Sequence, residues 1–197
     1  MDFIKVAGAI SFLIGAYASI PYIWAILKGK TTPHQLSWLV FVIMNTIVFI
    51  SQFLEGARES ILITLTFVVG SFIIFLLSLK FGVRESSRWD KFLFGFAIIT
   101  IVLWILTRSN SLAIWLTVLI DVAATTMIIL KVKAKPNSED PKPWLIASLA
   151  YVFSCITLIG QPLGVIYVRP IYGLICDVVL VGFIYFLRRV STVKSSN

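Results

Sequence analysis

Residues 61–79 read ILITLTFVVGSFIIFLLSL, a run without a charge, a proline or a side-chain amide. Wound as a helix at 1.5 Å per residue it is about 28 Å long, the thickness of a bilayer's hydrocarbon core. On both sides of it comparable runs recur between charged or Pro- and Gly-rich breaks. Together they cover Phe3–Leu27, Leu36–Leu54, Ile61–Leu79, Phe92–Thr107, Leu112–Leu130, Trp144–Gly160 and Pro170–Leu187, with the fourth and sixth the shortest. The first run contains Ala16, Tyr17 and Ala18, a pattern like a signal-peptide cleavage site. Its apolar character continues to Leu27 and recurs later in the chain, so it is read as a mature helix. The whole composition agrees: 59% of the 197 residues are hydrophobic and 13% charged, at a mean hydropathy of +0.98. A soluble domain carries about a quarter charged residues. The expected fold is an all-α integral membrane protein of seven transmembrane helices.

The net charge of +8 is then a matter of topology rather than of nucleic-acid binding. Thirteen of the 17 Lys and Arg fall on one side of the seven spans: Lys28, Lys30, Lys80, Arg84, Arg88, Lys91, Lys131, Lys133, Lys135, Lys142, Arg188, Arg189 and Lys194. Only Lys5, Arg58, Arg108 and Arg169 fall on the other. The positive-inside rule therefore puts the N-terminus outside and the C-terminus in the cytoplasm. Trp24, Trp38, Trp89 and Trp144 lie towards the cytoplasmic ends of their spans and Trp104 and Trp115 towards the outer ends, where aromatic anchors belong. Cys155 and Cys176 stand inside apolar runs and read as packing residues, not as a disulfide framework.

An offset of 106 residues aligns the chain with itself. Ala7, Ser11, Gly15 and Ser19 fall opposite Ala113, Thr117, Asp121 and Thr125; Trp38 falls opposite Trp144, and Ser71 opposite Asp177. The chain reads as a first triple-helix repeat (1–83), a linker helix with its loops (84–110) and a second triple-helix repeat (111–197). Because each triplet has an odd number of spans, the linker brings the second back to the orientation of the first. The expectation is 3+1+3 with parallel repeats, an arrangement used by secondary transporters with a site between the halves at the midplane.

Ser19, Ile20, Pro21, Tyr22, Ile23 and Trp24, followed by Lys28, Gly29, Lys30, Thr31, Thr32 and Pro33 and then by Ser37 and Trp38, make a proline-centred helix, a short basic loop and a serine opening the next helix. A weaker copy runs through Asp121, Thr125, Lys131, Lys135, Pro136, Ser138, Glu139 and Trp144. This plan resembles the SWEET and PQ-loop transporter superfamily, which includes the half-length SemiSWEETs. The resemblance implies alternating access on a small solute, with Pro21 as a rocking hinge. Where sugar-carrying members hold an asparagine on the third helix of each half, this chain has Gly70 or Ser71 and Asp177, which points away from a sugar.

Asp121 and Asp177 are the two acidic residues near the centres of their spans. An aspartate there costs roughly 2.5–3.5 kcal/mol on insertion scales, so each must meet a partner. The functional reading is a site for a cationic group or a coupling proton; the structural one is a hydrogen-bonded link between helices. Asn45 and Ser71 are expected as neutral substrate partners, Tyr17 and Tyr151 as pocket walls, and Gly15, Gly70 and Gly173 as points of close backbone approach. Arg169, next to Pro170, is expected to snorkel to the outer surface, and His34 to lie in a solvated loop. No lysine in the last span could carry retinal. The run Gly173–Leu174–Ile175–Cys176–Asp177 lacks the second glycine of an intramembrane aspartyl protease. No metal-ligand spacing, phosphate loop or nucleophile elbow is present, so neither an enzyme nor a cofactor is expected. The expected function is a membrane transporter of a small polar solute. The alternative is a non-transporting receptor or scaffold, against which the shortness of the longest hydrophilic loop, Lys131–Pro143, counts. The duplicated chain can work as a monomer, and an oligomer is equally open to it.

Overall fold

The structure is a computed structural model that describes residues 2–29, 32–82, 88–134 and 141–195. Lys30, Thr31, Arg84, Lys135, Pro136, Ser138 and Glu139 of the basic loops lie outside the described residues. Seven α-helices follow one another among the described residues: α1 (Asp2–Leu27), α2 (Gln35–Leu54), α3 (Ile61–Phe81), α4 (Arg88–Thr107), α5 (Asn110–Ala134), α6 (Lys142–Ile156) and α7 (Val168–Ser195), with a short 3-10 turn at Val165–Tyr167. No strand occurs among the described residues.

Local chemistry sets several of the ends. Gly29, at φ +65°, turns the chain out of α1 in a conformation that costs a glycine nothing. His34 caps α2, its Nδ1 accepting from the Ser37 amide at 3.3 Å. Pro143 sits in the first turn of α6, where no amide is needed. α6 stops at Ile156, short of the expected Gly160, because residues 157–160 turn back. Leu158 is buried there, Gln161 Nε2 donates to the Thr157 carbonyl, and the Tyr167 hydroxyl donates to the carbonyls of Leu158 and Gln161.

Paired ends show that the helices alternate in direction. At one end Gln35 Nε2 donates to the Ser78 carbonyl at 2.9 Å, and the rings of Tyr22 and Trp38 lie 5.2 Å apart. At the other, Thr64 Oγ1 donates to Gln52 Oε1 at 2.7 Å, Asn110 Nδ2 to Glu55 Oε1 at 3.0 Å, and Ser154 Oγ to the Ser60 carbonyl at 3.3 Å. The first is the basic end, with Lys28, Lys80, Lys91, Lys133 and Lys142 on or beside it. Six helices form a closed ring in the order α1, α3, α2, α5, α7, α6, each touching its two neighbours, and α4 lies outside against α2 and α5. In both sets of three, the third helix stands between the first two.

The ring's interior is apolar towards the basic end. Leu180 and Ile184 pack with Val132, Ile128, Ile129 and Trp144; outside the ring, Val40 and Met44 pack with Leu93 and Ala97 of α4 and with Ile120 of α5. Outward-facing side chains on every helix are large and apolar, among them Leu13, Phe53, Phe72, Ile105, Trp115, Leu149 and Val178. An apolar belt of that extent needs lipid. Among the described residues, four segments are by length and composition long and apolar enough to cross a bilayer: Phe3–Leu27, Gln35–Leu54, Ile61–Phe81 and Val165–Arg189. α4, α5 and α6 contribute the shorter apolar segments Lys91–Thr107, Asn110–Thr126 and Lys142–Ile156. The protein is all-α and suited to an integral membrane location.

Candidate functional site

α7 carries its polar residues on one face. Arg169, Tyr172, Gly173, Cys176 and Asp177 recur at three- and four-residue steps, and the same face continues as Leu180 and Ile184. Arg169, in the first turn of α7, begins this face inside the protein, with only 7% of its surface exposed. Its guanidinium is the centre of the site. Nη1 donates to Asp121 Oδ2 on α5 at 3.2 Å, and Nη2 to Asn45 Oδ1 on α2 at 3.3 Å. The guanidinium carbon lies 5.9 Å from the Phe67 ring centre on α3, and that ring is 5.5 Å from the ring of Tyr151 on α6. Tyr151, Tyr172 and Asp177 all lie within electrostatic reach of Arg169. Five of the six ring helices therefore meet at one charge.

Arg169 does not snorkel, contrary to expectation. A guanidinium costs several kcal/mol to bury unless it is paired, and here a carboxylate and an amide oxygen take both terminal nitrogens. Its Nε has no partner among the described residues, and neither does Tyr172 Oη or Asp177 Oδ2. Asp177 is as buried as Arg169, at 7% exposed. Cys176 meets Thr125 of α5 at 3.4 Å, Oγ1 to Sγ. With Asp121 neutralising Arg169, Asp177 is the unbalanced charge of the cluster when ionised. Among the described residues no group of three or more His, Cys, Asp or Glu could hold a metal ion.

Of the expected site residues, the structure brings together Asp121, Asp177, Asn45 and Tyr151. It does not bring in Tyr17, which is 55% exposed on the outer side of α1. Nor does Ser71 reach the cluster: its hydroxyl donates to the Phe67 and Val68 carbonyls of its own helix, at 2.6 and 3.1 Å. Pro21 lies inside α1, which continues through it. The three glycines do mark close approaches. A Cβ on Gly15 would meet Thr66 Oγ1, one on Gly70 would meet Ser19 Oγ, and one on Gly173 would overlap the Tyr151 ring. Arg169, Phe67 and Tyr172 are the members that sequence reasoning missed. The offset of 106 residues held a signal, because it puts Arg169 opposite Ile63, inside the third span rather than in a loop.

No family model, curated protein or solved structure matches the chain.

Proposed function

We propose that the chain is a membrane transporter that moves a small polar solute by alternating access, with seven spans arranged as 3+1+3 parallel repeats of the SWEET-like kind. The observation that carries this reading is the buried ion cluster, built from both sets of three helices: Asn45 and Phe67 from the first, Asp121, Tyr151, Arg169 and Asp177 from the second. The apolar belt on α4 and α6 as well as on the longer helices supports seven spans. The order of neighbours in the ring supports parallel repeats, since helices 106 residues apart hold the same places. The basic end is then cytoplasmic.

Asp177 is the residue that meets the solute's cationic group or a coupling proton, and Arg169 is the tethered cation that already occupies Asp121. The test is uptake into proteoliposomes of sugars, amines, amino acids and vitamins on both sides of neutral pH, with Asp177→Asn as the comparison. Uptake of one solute class, abolished or made independent of pH in the variant at unchanged expression, is the expected result; unchanged uptake in the variant would remove Asp177 from the mechanism. Binding without flux favours the second reading, a receptor or scaffold. The observation on its side is Arg169 itself, whose two terminal nitrogens are bonded as they would be in a purely structural knot.

A further inference from the structure

Six buried side-chain atoms among the described residues find no hydrogen-bond partner: Ser51 Oγ, Gln52 Nε2, Ser60 Oγ, Arg169 Nε, Tyr172 Oη and Asp177 Oδ2. Such groups are destabilising if they stay unmet, and native proteins meet them with water where protein does not reach. Their distribution is one-sided. Ser51 and Gln52 end α2, Ser60 precedes α3, and Arg169 begins α7, so all lie at the end opposite the basic one or between that end and Asp177. Ser60 stands at the N-cap of α3, yet its hydroxyl makes no capping bond.

Among the described residues, buried hydroxyls nearer the basic end are satisfied within their own helices. Ser78 donates to the Phe75 carbonyl and Ser148 to that of Leu145. Beyond Asp177 the face of α7 turns to Leu180 and Ile184. At the opposite end, by contrast, polar residues lead inward along shared faces. Thr64 stands three residues from Phe67 on α3, Ser154 three from Tyr151 on α6, and Gln52 seven from Asn45 on α2, all helical spacings. Gln52, Ser60, Thr64 and Ser154 are wholly buried, so this is an interior strip and not solvated surface.

Resting on the transport reading, we infer that these residues form a hydrated access path from the face opposite the basic loops to Asp177, sealed towards the basic end. Its outer stretch offers hydroxyl and amide donors and its inner end a carboxylate oxygen. It therefore takes water first and a small hydrogen-bonding solute after it.

The path is tested by thiol accessibility in the full chain, reconstituted in vesicles after Cys155→Ala and Cys176→Ala. Single cysteines replace Gln52, Ser60, or Ser148 as the basic-side control, and Glu55→Cys and Lys80→Cys report sidedness. A membrane-impermeant methanethiosulfonate reacts with a hydrated thiolate and not with a thiol in apolar packing. The expected mass shift occurs at Gln52→Cys and Ser60→Cys from the face that also labels Glu55→Cys, with none at Ser148→Cys. Labelling only from the Lys80→Cys face, or none at either path position while Glu55→Cys reacts, would overturn the inference. Gln52 and Ser60 are read separately, so a folding failure of one leaves the other decisive. Labelled path positions without uptake of any solute would overturn the transport reading and leave the path standing. Uptake with both positions inert would do the reverse.

Discussion

Arg169 and Asp121 depend on each other more than on anything else in the protein. The Asp121 side chain is 20% exposed and that of Arg169 9%, so little water is available to either if its partner is lost. Removing one member of a buried pair typically costs about 3–5 kcal/mol, whereas replacing both by apolar residues of similar volume is often neutral. Asp121→Leu should therefore lower the unfolding free energy by about 3–5 kcal/mol, read as a fall in the melting temperature in detergent. Arg169→Met in the same chain should return most of that loss. A single variant that melts like the parent would mean that the guanidinium draws its stability from elsewhere. The position of Arg169 was not legible in the sequence for a physical reason. A basic residue beside a proline at a span's end has the bilayer surface as its default, and its burial here goes with a carboxylate and an amide oxygen that α5 and α2 bring to it. Asp121 and Asp177 were legible because an aspartate that deep in an apolar helix has no cheap environment but a partner. Tyr17 misled because an aromatic at mid-helix satisfies lipid as readily as a pocket.

The helices meet by two different means. Small residues let α1 approach α3, and Gly173 lets α7 approach α6 until the Tyr151 ring lies over its backbone. Large apolar side chains fill the wider spaces, as Val40 and Met44 do against Leu93 and Ala97. Gly173→Ala puts a methyl group into the Tyr151 ring, and overpacking of this kind costs typically 1–3 kcal/mol. Gly182 on the same helix has nothing within 4 Å of the place where its Cβ would stand. Gly182→Ala should instead gain roughly 0.5–1 kcal/mol through helix propensity. Melting of the two variants side by side checks the assignment, because equal shifts would mean that α6 and α7 do not touch at Gly173. Most of the elements were readable to within a few residues, Ile61–Leu79 against Ile61–Phe81 for the third, since apolar length is a sum over residues and needs no partner; α7 runs eight residues past the expected Leu187, to Ser195, because a helix can continue into a charged stretch beyond the apolar run. Which faces meet depends on those partners. The four-residue spacing of Ala7, Ser11, Gly15 and Ser19 announced a packed face on α1 but not that Ser11 would donate to the Ala150 carbonyl of α6, 2.8 Å away.

At the scale of the whole molecule, the ring has two seams between its sets of three helices, α1 against α6 and α2 against α5. The first is held by the Ser11–Ala150 hydrogen bond. The second is bridged by Asn45 and Asp121 through Arg169, and near its end opposite the basic loops by a chain in which Trp104 Nε1 donates to Asn110 Oδ1 and Asn110 Nδ2 to Glu55 Oε1. Covalent continuity between the sets runs only through α4, which lies outside the ring. If each set inserts as a unit and association follows from packing and buried polar contacts, the peptide link is dispensable. A chain divided between residues 82 and 88 and expressed as two pieces should therefore reassemble in the membrane, and a tag on one piece should recover the other. The Arg169–Asn45 contact crosses the division, so Arg169→Met should weaken recovery; Gly182→Ala, which touches nothing across the seams, should leave it unchanged. Pieces that insert but do not associate, or that associate equally well without Arg169, would mean that the two sets are not held together by the contacts at their seams.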